Sequence, residues 1–280
     1  MKFNIIRPSS GDHSGIFLEM AELLSYSIQE LGSESVISLA EAKNGYQNIV
    51  IGIFYDQDLW SRLPEGSIII NTEPLFARED ELGWSGRLIE LSSNYVIWDY
   101  DPRNLQILTD LGAKNSRLLK FGYQKELERI PFLPNSDRPI DVLFYGSKNK
   151  RRQDIFDQIT SMGLVLTSIF GVYGHERDEF IARSKMVINV HYNETSVFEI
   201  VRIHYLLNNA VAIVPEINPD TSIVASYLNC LVGVTYSELV QRCISLKENP
   251  DILLDLQQKA LNEFKKTPQT TFMQDLLNSI

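Results

Sequence analysis

The feature that most constrains this chain is a repeated alternation. Short, continuous apolar runs are each followed by a segment whose apolar residues recur at helical spacing. Ile49-Val50-Ile51 is apolar at every position, which suits a strand buried on both faces of a parallel sheet. Lys2–Ile6, Val36–Leu39, Asn48–Phe54, Ser67–Asn71, Tyr95–Trp98 and Ser116–Phe121 read as strands of one series. Ile16–Leu31 reads as a helix through Phe17, Met20, Leu23, Leu24, Ile28 and Leu31, with Gly32 as its stop. Leu88–Ser92 and Pro102–Leu111 read as helical too.

Gln124–Pro139 carries Pro131, Pro134 and Pro139 among polar residues and reads as a linker. The alternation then restarts. Strands are expected at Ile140–Tyr145, Leu164–Phe170, Met186–Val190, Val211–Val214 and Cys230–Val234. Helices are expected at Asp154–Met162, Glu176–Ser184, Ser196–Asn208, Glu238–Lys247, Ile252–Lys265 and, after Pro268, Phe272–Ile280. Two such series imply an α/β protein with two Rossmann-like domains facing a cleft. The boundaries are 1–122 for the first domain, 123–139 for the linker and 140–267 for the second. Residues 268–280 are expected to form a C-terminal helix. Ligands of such sheets bind at the carboxyl ends of strands, near the switch point of strand order.

Charge and cysteine content exclude several classes. Lys and Arg number 26 against 36 Asp and Glu, a net charge of −10. A nucleic-acid binder shows the opposite excess, so no nucleic-acid partner is expected. Cys230 and Cys243 are the only cysteines and form no C-x-x-C, which argues against a disulfide framework or a structural zinc site. The apolar run Phe3–Ile6, broken by Asn4, is too short for a signal peptide. No apolar run approaches the roughly 18 residues of a membrane span. A cytoplasmic protein without a transmembrane segment is expected.

Three loops after strands carry residues suited to chemistry. In DVLFYGSKNKRR, a strand ends at Gly146, and Lys148, Lys150, Arg151 and Arg152 cluster where a helix begins. A helix N-terminus favours an anion, glycine permits close approach, and arginine suits phosphate. A glycine turn before a solvated basic helix end explains the same residues. In MVINVHYNETSVFEIVR, His191, Glu194 and Glu199 lie at the carboxyl edge of a sheet, where a carboxylate can accept from ribose hydroxyls. Ser196 and Glu199 also have capping-box spacing, and Glu199 can pair with Arg202 at i,i+3. In RPSSGDHSG, two glycines make a flexible loop, and His13 titrates near neutrality. Asp12 or Ser14 could equally cap the helix that follows. Glu73, in Asn71-Thr72-Glu73-Pro74, follows the fourth strand and would face the same cleft. An ordinary strand exit is the alternative there.

Asp99-Tyr100-Asp101 has the D-x-D form of metal-dependent transferases, but Asp101-Pro102 is equally a helix start. No metal is expected.

The runs DVLFYGSKNKRR and NVHYNETSVFEIVR, with INTEPL, VIWDYDPRN and FGYQKEL upstream, resemble bacterial and viral glycosyltransferases of the GT-B fold. That resemblance implies a nucleoside-diphosphate sugar in the second domain and a glycan or other hydroxyl acceptor against the first. It also implies that the C-terminal helix, residues 268–280, packs back on the first domain. Gly146, Ser147 and Arg152 would contact the diphosphate, with Lys150 beside them, and Glu199 and Arg202 the nucleotide and sugar. His191 and Glu194 complete the donor set. GT-B enzymes generally need no metal, because basic side chains and a helix N-terminus stabilise the leaving diphosphate. No cofactor is implied beyond the donor substrate. For a catalytic base the candidates are His13, Asp12 and Glu73, in that order. The two glutamates separated by seven residues in many retaining members are not found from Glu199 or Glu194: Leu207 and Arg202 stand at the matching positions. Two other readings are a metal-dependent transferase using Asp99 and Asp101, and a non-catalytic binder of sugars or nucleotides.

Overall fold

The computed structural model describes residues 1–9, 14–55, 57–76, 83–192 and 197–279. It divides into two compact units, Met1–Gln124 with Pro268–Ile280, and Lys125–Thr267.

The first unit is built on six strands: β1 (Lys2–Arg7), β2 (Glu34–Leu39), β3 (Gln47–Ile51), β4 (Ile68–Asn71), β5 (Val96–Asp99) and β6 (Ser116–Leu118). They pair in the order β2-β1-β3-β4-β5-β6, and every pairing is parallel. Ile49, Val50 and Ile51 are all buried, as their unbroken apolar run requires.

The second unit has four strands: β7 (Ile140–Tyr145), β8 (Leu166–Ile169), β9 (Ser184–Asn189) and β10 (Ala212–Pro215). Their order is β10-β9-β7-β8, again parallel throughout. The chain leaves β7 toward β8 on one side, and β9 returns on the other. The switch point therefore lies between β7 and β9, and the loops after those strands flank it. Both units are Rossmann-like.

Several stretches differ from the sequence reading. The strand expected over Asn48–Phe54 spans Gln47–Ile51, and Ile53–Tyr55 is a 3-10 helix. Cys230–Val234 is not a strand. Val234 makes only an isolated bridge to Glu216, and Gly233 sits so close to Ile217 that a Cβ there would meet its Cδ1 at 2.4 Å. The helix expected from Ser196 begins at Ile200. Val197 bridges Ser222 and the Phe198 N–H donates to the Ser222 carbonyl at 3.0 Å, so these residues stay extended. The helix expected from Asp154 instead begins at Lys150, because the Asn149 side chain accepts from the Arg152 N–H and caps it.

The proline-rich segment after Gln124 is fastened to the second unit. Asn209 Oδ1 accepts from the N–H groups of Arg129 and Ile130, both at 2.8 Å, and its Nδ2 donates to the Leu127 carbonyl at 2.8 Å. The C-terminal helix Gln269–Leu277 belongs to the first unit. Gln269 is fully buried, donates through Nε2 to the Lys120 carbonyl at 3.2 Å and accepts from the Gly122 N–H.

Candidate functional site

The loops after β7 and β9 form one hydrogen-bonded cluster. After β7 the backbone turns at Gly146, with φ +142°, a conformation that L side chains rarely adopt. A Cβ there would lie 2.6 Å from Arg202 Nη1, which donates to the Tyr145 carbonyl at 2.9 Å. The helix Lys150–Ser161 then starts under its Asn149 cap. Its N-terminus, with the positive end of its dipole, opens at the switch point.

Arg152 is the centre of this cluster and is only 1% exposed. Its Nε donates to the Val190 carbonyl at 2.9 Å and its Nη1 to the Ser147 carbonyl at 2.8 Å, so it ties the two loops together. Burial pulls its pKa down to about 10, opposed by the nearby Glu199. The family resemblance implies a place for Arg152 beside a diphosphate. In the structure its guanidinium is engaged by the protein, and the exposed cations of the loop are Lys148 and Lys150, the latter paired with Asp154.

Glu199 gathers the basic groups. Its carboxylate lies 3.4 Å from Arg202 Nε, 3.7 Å from Arg152 Nη2 and 3.9 Å from His191 Nδ1, and accepts from Asn189 Nδ2 at 3.1 Å. Burial alone would raise its pKa, but Arg202, His191 and Arg152 outweigh that and hold it below the usual carboxylate range. The capping-box alternative fails. Glu199 occupies the N-cap position of Ile200–Asn208 and makes no side-chain capping bond. The i,i+3 pair with Arg202 is present.

His191 is fully buried, and neither ring nitrogen has a hydrogen-bond partner among the described residues. Its 3.9 Å approach to Glu199 is electrostatic and too long for a hydrogen bond. Asn189, two residues earlier, has an unpaired buried Oδ1. Buried polar atoms are nearly always paired in folded proteins, and these three at the end of one strand are not.

Sequence reasoning missed Glu216. It follows β10, is fully buried and forms an ion pair with Arg151. It also accepts from the His191 N–H at 3.0 Å and from Asn218 Nδ2 at 2.8 Å. Arg151 stacks 4.0 Å from the Tyr236 ring centroid. The available signal was a carboxylate at a strand exit, directly after the run Ala212–Pro215, as Glu73 was singled out for following the fourth strand. Across the described residues of the site, Lys148, Lys150, Arg151, Arg152 and Arg202 outnumber the carboxylates near them, Asp154, Asp157, Glu199 and Glu216. The site is locally positive in an acidic chain.

Glu73 lies in the first unit, just beyond β4. Asp12, His13 and Glu194 fall outside the described residues. The D-x-D pair has structural work to do: Asp101 accepts from the Arg103 N–H at 2.8 Å and caps Pro102–Asp110, while Asp99 is fully buried and accepts three hydrogen bonds. Among the described residues no group of three or more His, Cys, Asp or Glu side chains could hold a metal ion. No described helix is long and apolar enough to cross a membrane.

The architecture is shared with solved structures. Anabaena HepE, in complex with UDP and glucose, superposes with a TM-score of 0.63 at 10% identity, over 100% of this chain and 99% of that one. T4 phage BGT, in complex with UDP and Mn2+, superposes at 0.58 and 14% identity, with the same coverage. These likenesses define the fold as the GT-B type. In sequence, the chain is 27% identical over 215 residues to an uncharacterized protein of Acanthamoeba polyphaga mimivirus, covering 73% of this chain and 26% of the relative. A second mimivirus protein is 38% identical over 141 residues, 48% of this chain and 15% of the relative. The chain thus spans well under half the length of the curated relatives it matches. No family model matches it.

Proposed function

We propose that this chain is a glycosyltransferase that moves a sugar from a nucleoside-diphosphate donor to a hydroxyl acceptor such as a glycan. The observation that carries this reading is the switch-point cluster of the second unit. It combines a glycine turn against a helix N-terminus, a surplus of cations and the orphaned polar atoms of Asn189 and His191. UDP in the complexes of HepE and T4 phage BGT supports uracil as the first donor base to test.

In this reading the diphosphate sits against the Gly146 turn and the start of Lys150–Ser161, where amide N–H groups, Lys148 and Lys150 meet its charge. Arg152 fixes the Ser147 and Val190 backbones around it and does not itself form a bidentate contact. The Asn189 and His191 side chains, with Glu199 and Arg202, meet hydroxyls of the ribose or sugar, as does Glu194. In an inverting transfer, a base takes the acceptor proton as its oxygen attacks the anomeric carbon. The bond from that carbon to the diphosphate breaks, and the nucleoside diphosphate leaves with the electron pair. His13, Asp12 and Glu73 are the candidates for that base.

The reaction is proposed to need no metal, since Asp99 and Asp101 are engaged by the fold. The test is a thermal-shift and calorimetric screen of UDP-, GDP-, ADP-, TDP- and CMP-sugars, followed by donor turnover with and without chelator. Ligand at about 100 times its Kd adds roughly 2.7 kcal/mol of stability. Failure of every donor to bind would overturn the reading, and complete loss of turnover with chelator would favour the metal-dependent alternative.

A further inference from the structure

Behind Glu73 lies a buried polar assembly that the donor site does not use. Asn71, at the end of β4, pairs in register with Asp99, at the end of β5. Asn71 Nδ2 donates to Asp99 Oδ2 and to the Glu73 carbonyl, both at 2.7 Å, and Asn71 Oδ1 accepts from the Glu73 N–H at 3.2 Å. Asn104, from Pro102–Asp110, repeats the pattern. Its Nδ2 donates to Asp99 Oδ1 at 3.0 Å and to the Glu73 carbonyl at 3.1 Å, and its Oδ1 accepts from the Leu75 N–H at 2.9 Å. Asn71, Asp99 and Asn104 are at most 1% exposed. Each amide thus points one N–H at the Asp99 carboxylate and the other at the Glu73 backbone.

A strand exit before a proline needs none of this. Burying a carboxylate whose hydrogen bonds come from two amides and a backbone N–H is costly, and here it orients two amides that grip one peptide unit from both sides. We propose that Asn71, Asp99 and Asn104 are positioning residues that fix Glu73 as the base for the acceptor hydroxyl. The proposal rests on the transferase reading above. Asp99 sets the amides, the amides set residues 73–75, and Glu73 takes the proton. Locking a reacting group in this way matters because a misplacement of about 1 Å can cost on the order of a hundredfold in rate.

The experiment is a double-mutant cycle on the full chain, reading UDP release from UDP-glucose with water as acceptor. Glu73→Gln and Asn104→Ala are each expected to lower kcat by roughly ten- to a hundredfold, with the calorimetric Kd for UDP unchanged. The double variant should be no slower than Glu73→Gln alone, because a residue acting through Glu73 has nothing left to position. Amide hydrogen exchange should speed up at Glu73 and Leu75 in Asn104→Ala while β4 stays protected. If Asn104→Ala does not fold, Asn104→Ser, which adds no charge beside Asp99 and cannot hold Asp99 and the Glu73 carbonyl at once, is assayed in its place. Wild-type turnover in Glu73→Gln, or losses that multiply in the double variant, would overturn the proposal and leave donor binding intact. If the wild-type chain neither binds UDP nor releases it, the cycle is run with the donor that binds in the screen above, and failure of every donor there overturns the transferase reading itself. Unchanged exchange at Glu73 and Leu75 in Asn104→Ala would then overturn the clamp as well.

Discussion

Arg202 closes over Gly146: its Nη1 donates to the Tyr145 carbonyl at 2.9 Å and occupies the space a Cβ on Gly146 would need. One side chain from the helix after β9 therefore seals the turn after β7, and it does so only because residue 146 has no side chain.

Gly146→Ala should disturb both the turn and its seal. The Arg202 end can swing aside at little cost, but the positive φ cannot be relieved, and such strain costs about 1–3 kcal/mol. We expect a lower Tm and a weaker Kd for UDP, measured by calorimetric titration. An alanine variant with wild-type Tm and Kd would show that the turn tolerates a side chain.

Glu199→Gln should lose stability, contrary to a capping role, in which glutamine would serve equally well. Removing the charge leaves the buried Arg152 without its counter-ion, a loss on the order of 3 kcal/mol. The pH dependence follows from the depressed pKa. Stability from Glu199 is fully present above its ordinary value of 4.5 and is lost as pH falls toward the folded value. Thermal melts of the two proteins should converge as the solution is acidified below about pH 4. Parallel curves would detach Glu199 from the arginines.

Arg152→Ala should act first on folding. With Arg152 1% exposed and bonded to Val190 and Ser147, truncation removes the tie between two loops and leaves Glu199 with one fewer partner. Breaking such a buried pair costs about 3–5 kcal/mol. Denaturant titration should show this loss, with weaker UDP binding as its consequence. A full loss of UDP affinity at unchanged stability would restore Arg152 to the diphosphate itself.

Asp99 gives the opposite pH sign. Burial raises its pKa from 3.8 to about 7, against the hydrogen bonds from Asn71, Asp101 and Asn104. A raised value means that its contribution is fully present below about pH 4 and is lost as pH rises through 7. The full span is on the order of 4 kcal/mol. Asp99→Asn removes the titration, so the difference in Tm between variant and wild type should change between pH 4 and pH 8. A constant difference would place the Asp99 pKa near its ordinary value.

What the sequence determined by itself is the local order of things. Unbroken apolar runs such as Ile49-Val50-Ile51 can be satisfied only by burial on two sides. Glycine and proline mark where the chain must turn. The loop after DVLFY was legible as a site because a glycine, a helix start and clustered basic residues are adjacent in sequence. The i,i+3 pair of Glu199 and Arg202 was legible for the same reason, since helical neighbours are set by spacing alone.

What only the tertiary structure decided depends on residues far apart in the chain. No local signal orders the strands β10-β9-β7-β8, yet that order places the Gly146 and His191 loops on either side of the switch point. Arg152 reads as a solvated cation until Val190 and Ser147 enclose it. Glu216 is linked to His191 only through the return of β10. The helix start moved to Ile200 because Ser222, 22 positions on, holds Phe198 extended. Spacing fixes what one helix or strand presents. Burial, charge pairing and the position of a loop on a sheet follow from contacts that form only when the strands assemble.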